Sequence, residues 1–274
     1  YVCCGFGIVV INLDKMEVKD TYIIGENSSY LSIDDIALYN DKLYAATSEG
    51  VYYADYKNNN LADFSQWTRD DSMIHNNLNY SEIEVFNGKI YANYSENKYN
   101  KDTLFVYENG RWDYSKKVGN AIKRDIRAYD DRLVITEHYS VKAINKDNNN
   151  ILHFNQDVEP FAAIYDNVSD IYWIGDKNNS LIKTYPDNTF EYINFNGPYS
   201  INSFEIEAEG NQLWVASGGY TSTWAKRWLS DGIYYYHNDE WANINKNNND
   251  AFDIARSIKQ KYADRCYTHN PDYK

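Results

Sequence analysis

One phrase recurs five times along the chain, a turn pair followed by alternating apolar and aromatic residues. It reads Asp41-Lys-Leu-Tyr-Ala-Ala-Thr47, Gly88-Lys-Ile-Tyr-Ala-Asn-Tyr94, Asp131-Arg-Leu-Val-Ile-Thr-Glu137, Ser169-Asp-Ile-Tyr-Trp-Ile-Gly175 and Asn211-Gln-Leu-Trp-Val-Ala-Ser217. Anchored on Leu43, Ile90, Leu133, Ile171 and Leu213, the repeats stand 47, 43, 38 and 42 residues apart. A turn followed by period-two alternation is a strand leaving a tight hairpin. Recurrence at forty-odd residues, with only short strands inside each unit, specifies the four-stranded antiparallel blades of a β-propeller. The expected fold class is therefore all-β, and the anchors are expected at equivalent second-strand positions.

Strand candidates follow from the same alternation. Tyr1–Cys4, Gly7–Asp14 and Glu17–Ile24 suit the last three strands of a blade whose first strand lies upstream. Four-stranded units then follow. The first comprises Ile33–Tyr39, Lys42–Thr47, Gly50–Asp55 and Phe64–Thr68, and the second Glu82–Phe86, Lys89–Tyr94, Thr103–Tyr107 and Arg111–Tyr114. The third comprises Asp125–Tyr129, Arg132–Glu137, Val141–Asn145 and Ile151–Phe154, and the fourth Phe161–Tyr165, Ile171–Gly175, Leu181–Tyr185 and Phe190–Ile193. The fifth runs Ser203–Ala208, Gln212–Ser217, Gly232–Tyr236 and Glu240–Asn243. Ile254–Ile258 and Arg265–Thr268 offer the opening of a further blade. Ser48-Glu-Gly50, Asn87-Gly88, Asn109-Gly110 and Asp231-Gly232 mark hairpin turns. A chain that starts inside one blade and stops inside another reads as a fragment.

Twenty-eight Tyr, 10 Phe and 7 Trp suit pleated, half-buried surfaces. A net charge of −13 argues against nucleic-acid binding, which needs a basic footprint. There is no apolar run of transmembrane length. Cys3, Cys4 and Cys266 form no metal-ligand spacing or disulfide framework, and adjacent strand residues such as Cys3 and Cys4 point to opposite faces. The Asn tracts 57–60, 147–150 and 245–250 lack the calcium-loop pattern and read as solvated turns.

Catalytic patterns are missing from the sequence. The His residues at 75, 138, 153, 237 and 269 fall in different repeats without zinc spacing, and neither a nucleophile elbow nor a phosphate loop occurs. Asp34-Asp35, Asp70-Asp71 and Asp130-Asp131 read as solvated acids at junctions and turns rather than as a catalytic pair. No enzyme activity, cofactor or metal is expected. The repeat is interrupted once, where Gly218–Ser230 replaces a short hairpin and carries Trp224 and Trp228 around Lys226 and Arg227. Those residue types concentrate at binding hot spots and at saccharide or phosphate contacts. The four are the candidate binding residues, with packing against a neighbouring blade or domain as the alternative.

Gly5-Phe-Gly-Ile-Val-Val-Ile-Asn-Leu-Asp14 followed by Lys19-Asp-Thr-Tyr-Ile-Ile-Gly-Glu-Asn27 closely resembles the PorZ family, surface components of the type IX secretion system of Bacteroidetes. Tyr44–Tyr52, Asp63–Thr68, Asn196–Ser200 and Gly218–Ile233 with Trp241 extend the resemblance over most of residues 1–250. It implies two tandem propellers, with 1–197 completing the first and 198–274 opening the second, and a sorting domain beyond. It implies a non-enzymatic scaffold on the outer cell surface, reached through the periplasm. Its partners there would be secretion-complex proteins, including a sortase-like protease, and an anionic lipopolysaccharide glycan. The alternative is the periplasmic oligosaccharide-sensing propeller of a hybrid two-component regulator.

Overall fold

Each repeat phrase becomes the second strand of an antiparallel sheet in the computed structural model, because its turn pair folds the chain back on the strand before it. Asn40-Asp41, Asn87-Gly88 and Asn238-Asp239 all take positive φ, the geometry of two-residue hairpins whose twist matches the strands they join. The structure describes residues 1–248 except 58, 97, 99–100, 116–117, 194–195, 228, 230 and 246–247. The expected elements at Ile254–Ile258 and Arg265–Thr268, and Cys266, lie outside the described residues.

Sheet 1 has three strands, β1 (Val2–Cys4), β2 (Gly7–Asn12) and β3 (Glu17–Tyr22). Five four-stranded sheets follow, each joined in sequence order. Sheet 2 is β4 (Ile33–Tyr39), β5 (Lys42–Thr47), β6 (Gly50–Asp55) and β7 (Thr68–Arg69), and sheet 3 is β8 (Tyr80–Phe86), β9 (Lys89–Tyr94), β10 (Thr103–Glu108) and β11 (Arg111–Tyr114). Sheet 4 is β12 (Lys123–Ala128), β13 (Arg132–Glu137), β14 (Ser140–Asn145) and β15 (Asn150–Phe154). Sheet 5 is β16 (Pro160–Asp166), β17 (Ile171–Asp176), β18 (Ser180–Thr184) and β19 (Phe190–Ile193). Sheet 6 is β20 (Ser203–Glu209), β21 (Gln212–Ser217), β22 (Ile233–His237) and β23 (Glu240–Ile244). The chain divides into two compact units, Tyr1–Asn194 with sheets 1 to 5 and Phe195–Lys274 with sheet 6.

Two sequence expectations need correction. Phe64–Thr68 is not a strand. Asp63 caps a single 3-10 turn at Phe64–Gln66 through Ser65 N–H (2.9 Å), and the buried Trp67 indole donates to Leu61 O (3.0 Å). Only Thr68 and Arg69 are left to pair with β6. Ile171 is also one place out of register. The β16–β17 connection holds four residues where the β4–β5 turn holds two, so Ile171 pairs with Asp166 directly at the turn, as Lys42 pairs with Tyr39. Counting back from the strand end, Tyr172 occupies the position of Leu43, Ile90, Leu133 and Leu213.

The first strand of every four-stranded sheet opens on a β-bulge, at Ile33/Asp35, Tyr80/Glu82, Lys123/Asp125, Pro160/Ala162 and Ser203/Glu205. An extra residue there breaks the alternation. That is why β8, β12 and β16 begin one or two residues before the positions their pattern suggests. Within the first unit, first strands of successive sheets pack side by side, β4 on β8, β8 on β12 and β12 on β16. Apolar side chains fill the spaces between sheets. Ala37, Tyr44, Ala46 and Val51 of sheet 2 meet Ile83, Ile90, Ala92 and Phe105 of sheet 3, and Val134, Val141 and Leu152 of sheet 4 meet Ala163, Tyr172 and Ile174 of sheet 5.

Candidate functional site

The connections between second and third strands hold the clearest polar design. The last residue of the second strand is buried and polar in four sheets, at Thr47, Glu137, Asp176 and Ser217. Thr47 Oγ1 donates to Gly50 O (2.8 Å), Ser217 Oγ donates to Gly232 O (2.7 Å), and Glu137 Oε2 accepts from Ser140 Oγ (2.8 Å). Asp176 accepts from the N–H groups of Asn178 (2.9 Å), Asn179 (2.8 Å) and Glu159 (2.6 Å). A buried acceptor or hydroxyl at this point ties each connection to its own sheet.

In sheet 6 that connection is the long segment singled out by sequence. It folds on itself: Tyr220 bridges Lys226, Thr221 N donates to Ala225 O (2.9 Å), and Arg227 N donates to Gly219 O (2.9 Å). At the tip, Trp224 takes a left-handed φ of 62° and its N–H donates to Thr221 O (3.0 Å). Trp224 is 77% exposed, with the Tyr220 ring 6.0 Å from its own and the Phe204 ring a further 5.7 Å from that of Tyr220. Lys226 and Arg227 are exposed beside it. The base is fixed by Asp231, whose carboxylate accepts from Ser200 Oγ and Asn202 Nδ2 (2.8 Å each). Those donors, with a smaller contribution from the Arg227 charge, hold the Asp231 carboxyl below its usual range. Trp224, Lys226 and Arg227 thus sit together on a braced loop; Trp228 lies outside the described residues.

Three features escaped the sequence reading. First, Asp35 is not a solvated junction acid. It lies in β4 and accepts from Ile83 N–H of the next sheet (3.0 Å) and from Ile36 N–H (2.8 Å), while Glu82, at the same bulge position in sheet 3, accepts from Ile126 N–H. Asp70 likewise accepts from the Trp112 indole (2.9 Å). The carboxylates at 35, 82 and 125 share one offset of eight residues before the anchors at 43, 90 and 133, a signal that was present in the sequence. Second, Asp102, Lys123 and Glu137 form a buried network between sheets 3 and 4. Asp102 accepts from Asn93 Nδ2 (2.8 Å) and Lys123 N–H (2.9 Å), and burial lowers the Lys123 ammonium to about 8. Third, Arg124, His138, Glu159 and Lys177 cluster beside a cleft at Tyr139. Burial, then Arg124, pushes the His138 pKa down.

Among the described residues no three His, Cys, Asp or Glu side chains are grouped to hold a metal, and no helix is long and apolar enough to cross a membrane. Cys3 and Cys4 are free thiols.

The repeated four-stranded scaffold has a counterpart among known families. Residues 1–68 match the model of the PorZ N-terminal β-propeller domain of the type IX secretion system. No curated protein matches the sequence. Among solved structures, PorZ of Porphyromonas gingivalis, an essential bacterial surface component of the type IX secretion system, is similar with a TM-score of 0.60 at 17% identity, over 89% of this chain and 31% of that one. The extracellular domain of BT4673 from B. thetaiotaomicron, assigned to a hybrid two component system, has a TM-score of 0.51 at 14% identity, over 89% of this chain and 33% of its own. The chain spans about a third of the length of PorZ and of BT4673. The likeness establishes the all-β propeller architecture, and the family match falls on sheets 1 and 2.

Proposed function

We propose that this chain is the propeller region of a PorZ-like component of the type IX secretion system, acting as a non-enzymatic scaffold at the bacterial surface. The match of residues 1–68 to the PorZ propeller model carries this reading. It includes the tandem arrangement, with residues 1–197 closing one propeller and 198–274 opening a second, in a protein of Bacteroidetes exported through the periplasm. Partners would be other secretion-complex proteins, including a sortase-like protease, and an anionic lipopolysaccharide glycan.

The Trp224 loop is the proposed contact. An exposed indole on a hydrogen-bonded hairpin offers apolar area without the ordering cost of a mobile loop, and Lys226 and Arg227 supply cations for acidic groups or glycan phosphates. In the native host, replacing Trp224 and Arg227 together by Ala should impair secretion-complex assembly or glycan retention at the cell surface while the thermal midpoint stays nearly unchanged. Unimpaired assembly with a lowered midpoint would make the loop a packing element. The likeness to BT4673 favours the sensor as second reading. The complete gene separates the two: a transmembrane helix and kinase domain downstream mean sensor, a terminal sandwich means secretion.

A further inference from the structure

Lys123 opens β12, Glu137 closes β13, and the two residues pair across the ladder of sheet 4. Their side chains are 0% and 2% exposed, so bulk solvent solvates neither charge. We propose that one water molecule is bound between sheets 3 and 4, bridging Lys123 Nζ to Glu137 Oε1.

Both ends of this bridge are pinned. Lys123 Nζ donates to Ala121 O (2.8 Å) and to Gly119 O, which leaves one ammonium N–H. Glu137 Oε2 accepts from Ser140 Oγ (2.8 Å) and Lys142 Nζ (2.7 Å). Among the described residues no donor reaches Glu137 Oε1, although that atom is buried. Nζ and Oε1 stand 4.0 Å apart, beyond hydrogen-bond reach. Closing the gap directly would pull Nζ off two carbonyls or Oε2 off two donors. A buried carboxylate oxygen without a donor carries a desolvation cost that attraction at this range does not remove by itself.

Water supplies what both atoms lack. Its oxygen accepts the third N–H of Lys123, and one of its hydrogens goes to Glu137 Oε1. At about 2.8 Å from each atom, the 4.0 Å span sets an angle of roughly 90° at the water oxygen. The second hydrogen has an acceptor at the same interface. Asn93 Oδ1 of sheet 3 is buried without a donor, while its Nδ2 donates to Ser81 Oγ (3.0 Å) and Asp102 Oδ2 (2.8 Å). Asp102 Oδ2 also accepts the Lys123 N–H (2.9 Å), which holds the Asn93 amide beside the Lys123 backbone. Three polar partners are the usual complement of an internal water. A β-bulge between Lys123 and Asp125 opens the ladder at this point.

Charge selects water over an ion. Lys123 and Lys142 balance Asp102 and Glu137, so the network calls for a neutral ligand. Burial lowers the Lys123 ammonium to about 8, which leaves its third proton in place at pH 7. The inference stands on the first unit and does not rest on the Trp224 loop.

Diffraction from crystals of the whole chain, at about 1.5 Å or better, should show one solvent peak within about 3.2 Å of both Nζ and Oε1. Oxygen-17 relaxation dispersion, which counts long-lived waters, tests the site in solution. Lys123→Met combined with Glu137→Leu replaces both ends by apolar groups, a change that buried ion pairs commonly tolerate. This double variant should lose one long-lived water relative to the parent chain. If it fails to fold, the diffraction result decides alone. Three results would overturn the proposal: a direct hydrogen bond from Nζ to Oε1, no solvent between the two atoms, or equal water counts in parent and variant.

Discussion

At Glu82, three first strands bring carboxylates into one another's field: Asp34 and Asp35 from β4, Glu82 from β8 and Asp125 from β12. Burial first, then the charges of Asp35, Asp125 and Asp34, raises the Glu82 carboxyl from 4.5 to about 9, and burial raises Asp35 from 3.8 to about 6. A carboxyl whose folded pKa exceeds its unfolded value holds its proton more tightly when folded. Its contribution to stability is complete below about 4.5 and is lost as pH rises towards about 9. Thermal midpoints should accordingly decline between pH 5 and pH 9. Glu82→Gln keeps an acceptor for Ile126 N–H and removes the charge. It should flatten the decline and raise stability at pH 7.5 by about 2 kcal/mol, whereas a parallel, undiminished pH profile would disprove this account. This clustering was only half legible in the sequence. The eight-residue offset of the carboxylates could be read, but their mutual approach depends on how neighbouring first strands pack. Asp102 shows the limit more plainly, since a lone Asp ahead of β10 signals nothing until Lys123 of the next sheet donates its backbone N–H to the carboxylate.

Among elements, the hairpins carry most of the information, and glycine marks two kinds of constraint in them. Gly88 has φ of +69° with nothing within 4 Å of an added Cβ, so its demand is conformational only. Gly232 has φ of +92°, and a Cβ there would lie 2.1 Å from Ile244 O at the end of β23. Both follow an Asn or Asp. Gly88 lies in a two-residue turn, whereas Gly232, expected in a hairpin turn, stands directly before β22 at the end of the long connection, so their substitutions should differ. Gly88→Ala is expected to cost about 1 kcal/mol, the penalty of left-handed backbone. Gly232→Ala must also displace β23 and should cost about 3 kcal/mol or more. Equal losses in chemical denaturation would show that the β23 carbonyl yields freely. The strands themselves were readable because alternation and turn chemistry agree, as at Lys42–Thr47 and Lys89–Tyr94. Where the reading failed, another local force prevailed: the Asp63 cap replaced a strand start with a 3-10 turn, a four-residue turn displaced the Ile171 register, and bulges hid the true beginnings of β8, β12 and β16.

For the molecule as a whole, the question is how far stability is shared. Sheets 2 to 5 each pack on their neighbours through buried residues, so the first unit is a chain of nearest-neighbour interfaces with no single central core. Sheet 6 belongs to a separate compact unit, with its own buried Val215 and Tyr234 and its own polar anchor at Ser217. Nearest-neighbour energetics then predict two unfolding transitions, one for each unit. Gly232→Ala offers the decisive comparison, because its clash is confined to sheet 6. Calorimetry of that variant should show the transition of the second unit moved to lower temperature and that of the first unit unmoved. A single transition shifting as one would mean that the two units unfold together.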